Sequence, residues 1–330
     1  MYNYINRNLF IKKLRFADFM QVHTNLSDLP NFKNAVITIG TFDGVHLGHQ
    51  SILQQLKLVA KEINGETVII SFHPHPRKIV SSVLEDIKLL NTLQEKIELL
   101  SKEGIDHFVV VPFTSDFANQ TAEQYIDDFL VKNFSPHTII IGYDHKFGKG
   151  RQGDYHLLDQ AGVKYGFNVQ EINEKIIQEL IISSTKIRNA LGECNINLAN
   201  TLLGYFYFFE GVVVEGNKLG RTIGFPTANL HIANKEKLIP ADGVYAVELT
   251  IDNNNDILQG MMNIGIRPTV DGKKRMIEVN IFDFDKEIYG STIRVFIKNY
   301  LRNEVKFDGI DSLKEQLKKD EILVRKFLQN

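Results

Sequence analysis

The chain has 330 residues, 43% apolar and 24% charged, the balance of a globular protein long enough for two domains. Its 38 basic and 40 acidic side chains nearly cancel, which argues against a large nucleic-acid footprint. No apolar run approaches the roughly 18 residues of a membrane span. Arg7, Lys12, Lys13 and Arg15 interrupt any signal-peptide core, and the single cysteine, Cys194, leaves no intramolecular disulfide and no multi-cysteine metal site. A cytoplasmic protein without nucleic-acid or membrane partners is expected, with self-association left open.

The first half reads as strands alternating with helices. Residues 35–39 are short, apolar and β-branched, a buried strand. Ile52, Leu53, Leu56, Val59, Ala60 and Ile63 recur at helical spacing. Between them stands Gly40-Thr41-Phe42-Asp43-Gly44-Val45-His46-Leu47-Gly48-His49, a strand-to-helix turn. Its glycines admit a close backbone approach, and a helix N-terminus offers unpaired N–H groups to phosphate. His46 and His49 can donate hydrogen bonds to charge that develops in phosphoryl or nucleotidyl transfer; the plain alternative is a surface turn that happens to carry two histidines. Further strands are expected at 67–72, 108–111 and 138–141, with capped helices opening at Thr92-x-x-Glu95 and Thr121-x-x-Gln124. This pattern implies a parallel sheet covered on both faces, with ligands beyond the strand carboxyl ends. His46, His73, His75 and Asp144 all follow strand ends. Ser183-Ser184-Thr185-Lys186-Ile187-Arg188 closes the half: hydroxyls that cap a helix and a forked cation one turn in, which suit an anion.

The second half changes character near Tyr205. Strand-like segments at 206–214, 244–251, 276–282 and 293–297 lack intervening helices, so an antiparallel barrel or sandwich is expected. A terminal helix is expected from a Ser312-x-x-Glu315 capping box, with Leu313, Leu317, Val324 and Leu328 as its packing stripe. Gly216, Gly220 and Gly224 with Lys218 and Arg221 make a cationic loop able to wrap a phosphate chain. Thr227 and Asn229 carry oxygens of the kind Mg²⁺ accepts. In the strand around Glu278, Ile277, Val279 and Ile281 share one face while Glu278 and Asn280 share the other. A mid-strand glutamate is either simply solvated or the base a kinase needs near its acceptor hydroxyl.

These motifs, in this order over nearly the whole chain, resemble the prokaryotic bifunctional riboflavin kinase/FAD synthetase family. His46-x-Gly-His49 is similar to the wider nucleotidyltransferase signature, and the string from Thr41 to Gln50 resembles this family more specifically. So do Phe72-His73-Pro74-His75-Pro76, Ser183-Ser184-Thr185-x-Ile187-Arg188, the loop from Gly216 to Asn229, and Asn263-Ile264-Gly265-Ile266-Arg267. The resemblance implies a Rossmann-like nucleotidyltransferase domain over residues 1–190, a linker over 191–204 and a barrel kinase domain over 205–330. It implies that Gly40, Phe42, Asp43, Gly44, Gly48, Asp144, Ser183, Ser184 and Thr185 contact nucleotide, with His46, His49 and Arg188 catalytic. Gly216, Lys218, Gly220, Arg221 and Gly224 would hold the phosphates of the kinase reaction, Thr227 and Asn229 the Mg²⁺, and Glu278 would be the base. His73, Pro74, His75, Asn263 and Arg267 would lie toward flavin. Substrates would be riboflavin, FMN and ATP. The chain departs from the family at His145, where an aromatic is usual, and at Asn280, where a histidine is usual. Two rivals are a nucleotidyltransferase with another acceptor, which leaves the Gly216–Asn229 loop unexplained, and a non-catalytic flavin-binding protein, which would show damage at the reacting residues.

Overall fold

The computed structural model describes residues 20–80, 87–142, 145–172, 182–216, 219–252, 254, 256–269 and 272–329. The chain divides into two compact units, Met1–Glu85 with Leu93–Leu180 and Asp86–Thr92 with Ile181–Asn330.

The first unit is built on six strands: β1 (Gln21–His23), β2 (Val36–Ile39), β3 (Thr67–His73), β4 (His107–Pro112), β5 (Thr138–Gly142) and β6 (Asn168–Ile172). They form one sheet in the order β1-β4-β3-β2-β5-β6, every pair parallel. The four central strands are the four expected from apolar runs, because a parallel strand covered on both faces must be apolar throughout. β1 and β6 were not expected; β1 has three residues, and β6 exposes Asn168, Gln170 and Glu171, so it shows no apolar run. From β2 the chain crosses first to β3 and β4 on one side, then to β5 and β6 on the other. β2 and β5 therefore flank the switch point where such sheets bind ligands. The helix Leu47–Glu62 follows β2 and buries Leu53, Leu56, Val59 and Ala60, as its spacing predicts. At Thr121 both capping-box bonds form, Gln124 N donating to Thr121 Oγ1 at 3.2 Å and Thr121 N to Gln124 Oε1 at 2.9 Å. The helix then widens into a π-helical turn over Tyr125–Val131.

The second unit carries a closed barrel of β7 (Phe208–Val214), β8 (Ala228–His231), β9 (Gly243–Ile251), β10 (Leu258–Thr269), β11 (Gly272–Ile281) and β12 (Thr292–Arg302), ordered β10-β11-β8-β7-β12-β9. All its pairings are antiparallel. β8 and β10 escape the pattern reading: β8 is short and lies within the Pro-Thr-Ala-Asn motif, and β10 contains Gly260, Gly265 and Pro268. Two helices, Ser184–Gly192 and Ile196–Leu203, precede the barrel, the second lying within the stretch expected to be linker. The terminal helix Ile310–Leu328 seats Val324, Leu313, Leu317 and Leu328 on Ile223, Phe225, Ala246, Met261 and Phe282. Its start differs from expectation. Extended Gly309 is the N-cap, and the Ser312 hydroxyl donates to the Gly309 carbonyl at 2.9 Å instead of capping.

That helix is also fastened by a buried carboxylate. Asp320, 1% exposed, accepts from Arg302 Nη2 at 2.6 Å and Nε at 3.0 Å, and from Gln316 Nε2 at 2.8 Å. Removing one member of such a pair leaves the other with its desolvation uncompensated. Asp320→Ala should therefore lower the unfolding free energy of this unit by on the order of 3 kcal/mol in denaturant titration; a change within about 0.5 kcal/mol, the range of an ordinary surface site, would show that the pair holds nothing.

Candidate functional site

In the first unit the predicted turn lies at the carboxyl end of β2. Phe42 (φ 47°), Gly44 (φ 93°) and Val45 (φ 37°) all adopt left-handed backbone there, which for a β-branched residue such as valine is a true outlier. The turn is pinned on several sides. Gly40 N donates to Ile70 O at 3.0 Å, and Gln50 Nε2 to Val45 O at 2.9 Å. The Thr41 carbonyl accepts from Lys96 Nζ at 2.5 Å and from Ser71 Oγ at 3.2 Å. Phe42, Asp43, Val45 and His46 are all buried.

His46 is the N-cap of the helix Leu47–Glu62, its Nδ1 accepting from His49 N at 3.3 Å, which leaves its Nε2 as the donor. The His46 and His49 rings stack 3.7 Å apart at 14°, and the Phe42 ring, tilted by 42°, lies 4.9 Å from the His49 ring. Burial first, then His46 and Lys96, hold His49 well below the usual imidazole range, so it is neutral at pH 7. Its Nδ1 is shut off from solvent and has no hydrogen-bond partner among the described residues. A buried polar atom of this kind carries a desolvation cost that a ligand atom can relieve. Gly40 and Gly44 belong to the same turn, and Gly48 to the first turn of the helix that follows. His73 ends β3 beside β2, Pro74 follows it through a cis peptide, and His75 Nδ1 accepts from Arg77 N at 3.2 Å. Asp144 and Lys218 lie outside the described residues.

In the second unit Ser183 caps the helix Ser184–Gly192, its hydroxyl accepting from Lys186 N at 3.2 Å. Ser184 and Thr185 form the first turn, and one turn on Arg188 Nε donates to the Lys88 carbonyl at 3.0 Å.

The barrel brings Asn229, Glu278, Asn263 and Arg267 together. Register places Asn229 of β8 opposite Glu278 of β11, and Glu278 opposite Asn263 of β10. Three polar side chains thus form a row across adjacent strands. Ile277, Val279 and Ile281 are buried on the other face, as alternation predicts. Arg267 Nη2 approaches Glu278 Oε2 at 3.7 Å, while its Nη1 pairs with Glu304 Oε1 at 2.9 Å; Asn263 Nδ2 donates to the same oxygen at 2.9 Å. Asn280 is buried, and its Nδ2 donates to Pro226 O at 2.7 Å. It therefore anchors the turn that presents Thr227. Gly216 is required where it stands, because a Cβ would overlap the Asn229 amide. At Gly220 a Cβ would strike the Phe225 carbonyl. Gly224 (φ 85°) closes the turn. A concave pocket is lined by Arg221, Thr227, Ala228, Val279, Lys286 and Tyr289 among others; Ala228 and Val279 belong to the strand face opposite Glu278, so the pocket and the polar row lie on different faces.

Sequence reading missed Lys96, Ser71, Glu304 and the Lys286–Tyr289 side of the pocket. Lys96 did leave a signal: it stands at helical spacing between Leu93 and Leu100, where an apolar residue is expected. Glu304 left none, since it lies in an irregular segment. Among the described residues no group of three His, Cys, Asp or Glu could hold a metal ion.

Comparison with known proteins finds a family match in each half of the chain. Residues 28–186 match the FAD synthetase family, and residues 203–328 the riboflavin kinase family. The chain is 39% identical over 303 residues to the bifunctional riboflavin kinase/FMN adenylyltransferase of Escherichia coli (strain K12), covering 92% of this chain and 95% of that one. It is 40% identical over 288 residues to the protein of the same name from Haemophilus influenzae, covering 87% and 92%. It also resembles a crystal structure from Streptococcus pneumoniae described as a macrolide-efflux protein, with a TM-score of 0.82, 32% identity, and coverage of 93% of this chain and 99% of that one. Among the described residues no helix is long and apolar enough to cross a membrane. With a family match in each unit, and close to 40% identity over nine-tenths of the chain, the protein belongs to the bifunctional riboflavin kinase/FMN adenylyltransferase family.

Proposed function

We propose that the chain converts riboflavin to FAD in two ATP-dependent steps, the barrel making FMN and the parallel-sheet unit adenylylating it. The observation that carries the kinase step is the row of Asn229, Glu278 and Asn263 fixed by strand register. Glu278 accepts the proton of the ribityl 5′-hydroxyl as that oxygen bonds to the γ-phosphorus of ATP. The bond from γ-phosphorus to the bridging oxygen breaks, and ADP leaves. Gly216, Lys218, Gly220, Arg221 and Gly224 wrap the phosphates, with Asn263 and Arg267 toward the flavin. The hydroxyl of Thr227 and the amide oxygen of Asn229 are hard donors that fit Mg²⁺, an ion otherwise held by phosphate and water. Bound there, the ion would neutralise charge on the phosphates.

In the second step an FMN phosphate oxygen bonds to the α-phosphorus of ATP and pyrophosphate leaves. His46 donates from Nε2, and His49 contributes as a neutral donor toward the phosphate chain. Gly40, Phe42, Asp43, Gly44 and Gly48 form the nucleotide cradle, and His73, Pro74 and His75 line the flavin side. Ser183, Ser184, Thr185 and Arg188 bind ATP phosphates in this reading, as does Asp144 the nucleotide. A cytoplasmic setting, where a lone cysteine stays reduced, belongs to the same proposal.

The assignment of roles is tested by Glu278→Ala. FMN formation from riboflavin should fall by at least about 100-fold, while FAD formation from supplied FMN stays within twofold of the parent. Equal loss of both would refute separate sites. His49 gives a second test through pH. Its folded form holds a proton less readily than the unfolded chain, so below pH 6.5 unfolding takes up a proton. Stability of the first unit should therefore fall as pH drops through 6.5 and level off below the folded value. His23, also lowered by burial and by His107, adds a contribution of the same sign. Thermal melts between pH 5 and 8 should show a shallower slope in His49→Asn; an unchanged slope would contradict the neutral imidazole.

A further inference from the structure

Lys96 is a buried lysine to which neither reaction has yet given a task. It lies on the helix Leu93–Ser101 and is 8% exposed, where lysines are almost never found unless paired. Its neighbours explain how it is tolerated. Nζ donates to the Thr41 carbonyl at 2.5 Å, and the carboxylate of Asp43, 1% exposed, lies close enough to favour its charge. Burial still prevails over Asp43 and brings its pKa down to about 8. The position is therefore a costly one for a charge.

The segment it grips is itself strained. Between Thr41 and His46, Phe42, Gly44 and Val45 all have positive φ. Such backbone persists only where the surroundings over-determine it. Apolar packing of Phe42 and Val45 against Leu53, Leu56 and Ile69 supplies part of that constraint. It fixes side chains, however, and leaves the direction of the Thr41 peptide open. Lys96 and Ser71 together fix that direction, because both donate to the same carbonyl oxygen from different elements. Lys96 also faces the histidine pair electrostatically, opposing a positive charge on His49.

We infer that Lys96 is a positioning residue for adenylyl transfer: by holding the Thr41 carbonyl and balancing Asp43, it keeps the strained turn in the shape that presents His46 and the turn backbone to ATP. This rests on the reading that the turn binds ATP. Lys96 itself touches no substrate. Its effect is felt through the geometry of the turn, so it should appear in ATP binding and in the rate together, and only in one of the two reactions.

The experiment compares Lys96→Met, which keeps volume but removes donor and charge, with Lys96→Arg, which keeps both. FAD formation from supplied FMN is followed as ATP is varied, and amide hydrogen exchange is measured by segment. Lys96→Met is expected to raise KM for ATP and lower kcat for adenylyl transfer, reducing kcat/KM roughly 10–100-fold. Exchange should quicken over residues 40–46 while β3 and β4 stay protected, and Lys96→Arg should recover much of the loss. Values of kcat and KM within twofold of the parent in Lys96→Met would overturn the proposal. So would exchange that quickens equally across β2, β3 and β4, which would mark a general stabilising role. His46→Asn serves as the control for the underlying reading: if it abolishes FAD formation while Lys96→Met does not, the turn remains the ATP site and only the inference about Lys96 fails. If His46→Asn leaves FAD formation intact, the ATP reading of the turn fails with it.

Discussion

The chemistry of the barrel depends on the register of β11 between β8 and β10. Side chains alternate along a strand, so a slip of one residue would turn Glu278 inward and Val279 outward. Closure forbids the slip: with every edge paired, β11 cannot move against β8 without breaking the ladder to β10 as well. The buried partners Ile277, Val279 and Ile281 lock the same choice from inside. Glu278 and Asn229 are thus held opposite one another by backbone geometry, and the glycines of the neighbouring loop leave the room that Asn229 and the Phe225 carbonyl occupy.

The parallel-sheet unit solves a related problem differently. Its turn sits at the switch point, where helices on either side leave a crevice. There the structure accepts strained backbone at Phe42 and Val45, and buries Asp43, His46 and Lys96 close to it. Burial of polar groups at such density costs stability. It also lowers the local dielectric, which strengthens the interactions that remain. The neutral state of His49 follows from that environment, since a second positive charge beside Lys96 would be repelled.

Much of this was legible in the chain. Apolar runs of β2 to β5 mark buried parallel strands, and the histidine turn before the helix Leu47–Glu62 and the hydroxyl-capped helix Ser184–Gly192 form where their motifs stand. What escaped did so for physical reasons. β6 is an edge strand with exposed polar side chains, and β1 is too short to show a period. β10 hides behind Gly260 and Gly265, which read as breaks; a Cβ at the first would meet the Asn280 carbonyl and at the second the Glu304 carboxylate. The Ser312 motif was misleading because Gly309, already extended, starts the helix three residues earlier. Lys96 and Glu304 act across long sequence separations, onto Thr41 and Asn263, and no local pattern encodes such contacts. Asn280, on the same face of β11 as Glu278, holds the Pro226 carbonyl.

The central claim is that one chain carries riboflavin through FMN to FAD. The most direct measurement is chromatographic separation of flavins over time after the purified protein is mixed with riboflavin, ATP and Mg²⁺. The account predicts FMN first and FAD after it, with ADP from the first step and pyrophosphate from the second. Riboflavin recovered unchanged from a folded, flavin-binding protein would contradict it.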